Sequence, residues 1–151
     1  MIINGLKVAL ISALPVSELR GAIPIALTLY QMPVVQAYLF AILGNIIPVI
    51  FLLLYLGPFS DFLRKWKCFD LFFTWLFKRT QRHEDRYEKY GALFLLFFVA
   101  VPLPITGAWT GCAAAFVFGI RFKYAFPTIA GGVMIAGLVV SLASLGIINI
   151  F

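Results

Sequence analysis

The sequence predicts an all-α integral membrane protein. It is expected to be built as two inverted repeats, each a re-entrant helical hairpin followed by one transmembrane helix, joined by a basic amphipathic linker helix. Three observations carry this expectation. First, 63% of the 151 residues are hydrophobic, only 12% are charged, and the mean hydropathy is +1.02. A soluble domain averages about 45–50% apolar and about 25% charged residues. Second, two of the four apolar segments are interrupted mid-length, one by charges and prolines, the other by prolines and glycines. Third, the order of a broken segment, a short polar break and an unbroken segment occurs twice.

The first apolar block runs from Leu6 to Tyr30 and contains Pro15, Glu18, Arg20, Gly21 and Pro24. The second, Val34 to Leu56, lies between Pro33 and Gly57-Pro58. Its about 23 residues, at ~1.5 Å rise, cross a ~30 Å hydrocarbon core. From Asp61 to Phe77 the residues Phe62, Trp66, Phe69, Phe73 and Leu76 recur at three- and four-residue steps, with Arg64, Lys65, Lys67 and Lys78 mostly between them. That pattern predicts an amphipathic helix lying in an anionic interface. The stretch from Lys78 to Tyr90 is polar and expected to be helical, with Asp85 and Lys89 at a supporting spacing, and Gly91 marks re-entry into the membrane. The third block, Ala92 to Phe118, is interrupted by Pro102, Pro104 and Gly107; the fourth runs from Tyr124 to Ile150 and is again long enough to cross. Residues 1–151 thus read as a single membrane domain, with repeat one at 6–57, the linker at 58–90 and repeat two at 91–151. Sliding the chain by 86 residues brings Gly21-Ala22 onto Gly107-Ala108, Tyr38 onto Tyr124, Phe40 onto Phe126, Leu52 onto Leu138 and Leu56 onto Leu142. Weak internal symmetry of this kind is common among transporters.

Charge distribution bears on whether the broken blocks cross. Eight of the 12 Lys and Arg residues lie between Arg64 and Lys89, as expected of a cytoplasmic loop. If the broken blocks fold back as hairpins, Arg121 and Lys123 share the face of that loop and Lys7 alone lies opposite, leaving Arg20 aside. If the blocks cross, Lys7 shares the loop's face, and Arg121 and Lys123 both lie opposite. The positive-inside rule favours the hairpins. Two such hairpins would start from opposite faces and bring their tips together near the midplane.

Broken backbone and charge are tolerated in a bilayer only where protein buries them or where they line a wet cavity. Glu18 and Arg20 are therefore the leading candidates for a polar site. In a regular helix they would point to nearly opposite sides. Between Pro15 and Pro24, beside Gly21, the backbone need not be helical, so both side chains can face one cavity. Arg20 would hold an anionic group, and Glu18 would take up a proton or orient Arg20. The alternative is an ion pair that pins the hairpin. Pro102, Pro104, Thr106 and Gly107 form the opposite tip, where prolines release carbonyls and the Thr106 hydroxyl could meet a substrate; a proline-kinked helix is the plainer reading. Trp109 would stack on a ligand or pack. Asn45 aligns with Gly131-Gly132 and would bond either a hairpin tip or a neighbouring helix. His83-Glu84-Asp85 reads as a solvated face of the linker.

Several classes find no support. The excess of basic charge is confined to a loop between apolar blocks, which argues against nucleic acid. Cys68 and Cys112 fall in unlike surroundings, and with no CxxC and a single His neither a disulfide, a metal site nor a redox site is indicated. No cofactor is implied, no nucleophile–base pair for an enzyme is visible, and the N-terminus lacks the basic region of a cleaved signal peptide.

The pattern Glu18-Leu19-Arg20-Gly21-Ala22-Ile23-Pro24, followed by Val101-Pro102-Leu103-Pro104-Ile105-Thr106-Gly107-Ala108-Trp109, resembles the bacterial proteins called putative small multidrug export proteins. The resemblance covers almost the whole chain. That family looks like a compact relative of the DedA (VTT-domain) membrane proteins, whose fold has two re-entrant hairpins facing each other. The resemblance implies the bacterial inner membrane, and translocation of polyprenyl phosphate or another phospholipid carrier that depends on the proton-motive force. It matches Glu18 to the acidic residue of the first hairpin and Pro102 to the proline of the second. DedA proteins carry arginines on either side of that proline; residues 99–106 here carry none, and Arg20 would supply the charge from the other tip. The expectation is a small transporter for a lipid-linked phosphate or other amphipathic anion, with membrane lipids as partners and a homo-oligomer covering the polar tips. A proton-coupled exporter of lipophilic drugs is the first alternative, and a membrane scaffold or assembly factor the second.

Overall fold

The computed structural model describes residues 2–63, 85–101 and 106–150, and the described residues form six α-helices and no strand. The expected amphipathic linker helix lies almost entirely outside the described residues, as do Pro102, Pro104, Cys68, His83 and Glu84. Two short helices open the chain: α1 (Ile2–Ala13, 12 residues) and α2 (Glu18–Thr28, 11 residues). At ~1.5 Å per residue each is about 17–18 Å long, roughly half a hydrocarbon core. α3 follows (Val34–Leu63, 30 residues). The second half repeats the order: α4 (Asp85–Ala100, 16 residues), α5 (Ala108–Val117, 10 residues) and α6 (Phe122–Ile150, 29 residues).

Val34–Leu56 of α3 and Phe122–Ile148 of α6 are long and apolar enough to cross a membrane. Only 28% and 33% of their most apolar windows are buried, so neither is the core helix of a water-soluble domain. Leu39, Leu43, Ile47, Phe51 and Leu54 along α3, and Met134, Ile135, Leu138, Val139 and Leu142 along α6, are exposed. Apolar faces of that extent call for lipid rather than water.

Packing pairs the halves in matching ways. α1 lies on α3 as α4 lies on α6; α2 packs on α6 as α5 packs on α3; α3 and α6 pack on each other. Glycine permits the closest of these approaches. A Cβ on Gly44 would overlap the Ala9 backbone, joining α3 to α1, and one on Gly132 would sit 2.9 Å from the Leu96 carbonyl, joining α6 to α4. Val8, Leu19, Ile23, Val49, Leu95, Val99, Ile129 and Val133 fill the space between the helices.

Two boundaries differ from the sequence expectation. α2 runs unbroken through Gly21 and Pro24, so the interruption of the first block is confined to residues 14–17. α3 continues past Gly57-Pro58 to Leu63. Proline clashes with the Cβ of the residue before it, and Gly57 has none, so the helix survives at the cost of one hydrogen bond. Gly91 lies inside α4, whose described residues run from Asp85 to Ala100. α5 ends in a Schellman turn, with Gly119 at φ 66° and the Ile120 and Gly119 N–H groups donating to the Ala115 and Phe116 carbonyls.

Candidate functional site

The two interruptions meet. At the first, Ala13 ends α1 and residues 14–17 turn the chain. The Ser17 hydroxyl donates to the Ile11 carbonyl at 2.6 Å, tying the turn back to the end of α1. Glu18 then opens α2 with a left-handed φ of 45°. That conformation costs a non-glycine residue roughly 1–2 kcal/mol. It also takes Glu18 out of phase with the helix, which is how side chains two positions apart come to serve one site. The sequence reading located this freedom across Pro15–Pro24; the structure concentrates it at Glu18. Pro24, inside α2, removes the N–H that would otherwise bond the Arg20 carbonyl.

At the second interruption the Thr106 hydroxyl donates to the Val101 carbonyl at 2.7 Å, closing the loop between α4 and α5. Gly107 precedes α5, and its N–H donates to the Thr110 hydroxyl at 2.9 Å.

Glu18 and Arg20 make no ion pair with each other among the described residues; each reaches across to the opposite loop. The Glu18 carboxylate, 7% exposed, lies at the N-terminus of α5, where the Trp109 N–H donates to it at 3.4 Å beside the Ala108 N–H. Arg20 Nη2 donates to the Thr106 carbonyl, and lies 3.4 Å from both the Thr106 hydroxyl and the Val101 carbonyl just past α4. The negative side chain thus meets the positive end of one helix dipole, and the positive one meets carbonyls at the far end of another. Charge-assisted bonds of good geometry contribute about 1.5–3 kcal/mol each, and the contacts at 3.4 Å contribute less. Arg20 Nε is buried and has no partner among the described residues.

A cavity of about 600 Å³ opens beside this clasp, lined by residues of both loops: Ser17, Glu18, Arg20, Gly21, Thr106, Gly107, Trp109 and Thr110, with Pro15 and Val16. Gly107 leaves room for the Glu18 carboxylate, which a Cβ there would displace. Behind the clasp, Asn45 is fully buried in a tight space shared with Glu18, Arg20, Gly107 and Ala108, yet neither amide atom has a partner among the described residues. Trp109 donates its indole N–H to the Ala13 carbonyl at 3.2 Å, so it both packs and walls the cavity.

Of the candidate residues, the structure gathers Glu18, Arg20, Gly21, Thr106, Gly107 and Trp109 around one cavity, with Asn45 behind them. Pro24 does not reach it, and Pro102 and Pro104 lie outside the described residues. Ser17 and Thr110 were not singled out by sequence reasoning. Thr110 carried a signal, a hydroxyl three residues after a glycine at a helix start.

A family model described as "Putative small multi-drug export protein" matches residues 18–139, from the first of the two charged residues to the middle of α6. No curated protein and no solved structure matches the chain.

Proposed function

The chain belongs to the putative small multi-drug export protein family, and we propose that it is a membrane exporter whose cargo is an amphipathic anion, with a lipid-linked phosphate such as polyprenyl phosphate as the leading case. The family supports a membrane exporter in general terms. The choice of an anion rests on one observation: a guanidinium forms the wall of a cavity of about 600 Å³ between two helix interruptions.

In this reading α1–α2 and α4–α5 are re-entrant hairpins of inverted repeats, related as in the DedA proteins. Half-bilayer lengths of α1 and α2 favour it, and so does the matched packing of the two halves. Arg20 also bonds Thr106, the residue 86 positions later that the repeat offset makes its counterpart. Counterparts touch where a two-fold axis passes between them.

The conformation described is a closed one. Arg20 commits Nη2 to the Thr106 and Val101 carbonyls, and the Glu18 carboxylate is held at the start of α5. An anionic headgroup would compete for the Arg20 donors, with the unpartnered Nε adding one more as the loops part. A proton on Glu18 would weaken its hold on the Trp109 N–H. Together these events would release one hairpin from the other and expose the cavity to the opposite face, which is alternating access with proton coupling.

The test is reconstitution in vesicles with fluorescent polyprenyl phosphate. Wild-type protein should accelerate its movement between leaflets, and Arg20→Ala should lower the rate by tenfold or more, about 1.4 kcal/mol. No acceleration by the wild type contradicts the proposal. Cation efflux gained by Arg20→Glu would instead favour a drug exporter that uses Glu18. Loss of folding in both Arg20→Ala and Glu18→Gln, with no flux in any form, would favour a scaffold.

A further inference from the structure

A second concavity adjoins the first. It has a volume of about 390 Å³ and is lined by Pro48, Phe51, Leu52, Tyr55 and Leu56 of α3, together with Trp109. The five α3 positions fall at i, i+3, i+4, i+7 and i+8, one continuous face of the helix. Their length along the axis is about 12 Å. Phe51 and Tyr55 stack with ring centroids 6.2 Å apart along that face. Trp109 lines both concavities, and its indole N–H is tethered to Ala13, so the ring stands as a fixed partition between a charged compartment and an apolar one.

Resting on the anion reading above, we infer that this groove seats the hydrocarbon chain of the same amphipath whose headgroup lies against Arg20. The chain passes Trp109 and lies along Pro48–Leu56. A shared wall is what sets this groove apart from other lipid-facing surface: Trp109 lines both it and the cavity that holds the guanidinium. Lipid tails are as apolar as leucine, so moving a chain from bilayer to groove releases no hydrophobic free energy. The groove therefore sets where the chain lies and how the headgroup is oriented. Chain length should have little effect on affinity, and the informative measurement is one of position.

Trp109 is a built-in reporter once Trp66 and Trp75 are replaced by Phe. In phosphatidylcholine nanodiscs, dodecyl phosphate brominated along its chain should quench Trp109 at least twofold more than brominated phosphatidylcholine at the same mole fraction. Unbrominated dodecyl phosphate should reverse that excess, and Arg20→Gln should abolish it. Leu52→Trp, with all three native tryptophans changed to Phe, reads a deeper point of the groove. Its strongest quenching should come from bromines further from the phosphate than those that best quench Trp109. Equal quenching by the two lipids, or an excess that survives Arg20→Gln, overturns the assignment and makes the groove ordinary annular surface. Arg20-dependent flux without a quenching excess removes the groove alone. Absence of Arg20-dependent flux removes the anion reading and the groove with it.

Discussion

Gly107 owes its identity to Glu18, because a side chain there would occupy the space of the carboxylate. Gly107→Ala should therefore cost about 1–3 kcal/mol, the usual penalty for overpacking, and lower the melting temperature in detergent. Asn45 poses the opposite case. Its buried amide has no partner among the described residues, and leaving such a group unsatisfied costs about 1–3 kcal/mol. Asn45→Leu should raise the melting temperature while slowing flux, since the amide has value only if it finds a partner when the hairpins part. Unchanged flux in that variant would make Asn45 a bystander. The sequence marked Glu18, Arg20 and Asn45 as polar residues in apolar surroundings. It could not name what Glu18 and Arg20 bond, because those partners are backbone groups 81 to 91 positions away and backbone groups have no sequence signature.

The helices test the close approaches. Gly44→Ala must push α1 away from α3, whereas Gly146→Ala in α6 meets nothing within 4 Å. The first should destabilise the protein measurably by thermal unfolding; the second should be neutral or slightly stabilising through helix propensity. Gly119→Ala, at the left-handed end of α5, should cost about 1 kcal/mol. Much of the element order was legible. The apolar blocks correspond to α1–α2, α3, α4–α5 and α6, because sustained hydropathy and mid-segment breaks are strong signals. The ends were less so. Pro24 and Pro58 look like helix stops, but α2 runs through Pro24 and α3 through both Pro48 and Pro58, each proline at the loss of one bond, and Gly57 relieves the clash at Pro58. Where a break falls depends on which turn finds bonds for its backbone, and Ser17 supplies one at residues 14–17.

At the scale of the whole molecule, the proposal rests on two pairs of helices, each shorter than α3 and α6, that enter from opposite faces and clasp each other midway. A weak sequence repeat suggested this, and the matched packing of α1 on α3 and α4 on α6 accords with it. The sequence alone left open whether the broken segments cross, because each short helix is apolar either way. The two topologies place the chain ends differently. Hairpins put residues 4 and 149 on the face opposite the basic linker, whereas full crossings put all three on one face. Sidedness of single cysteines, placed at Asn4, Asn149 and Arg82 in a background lacking Cys68 and Cys112, tests this most directly. With a membrane-impermeant maleimide applied to intact cells, the account predicts labelling at Asn4→Cys and Asn149→Cys and protection of Arg82→Cys until the membrane is opened. Protection of all three would contradict it.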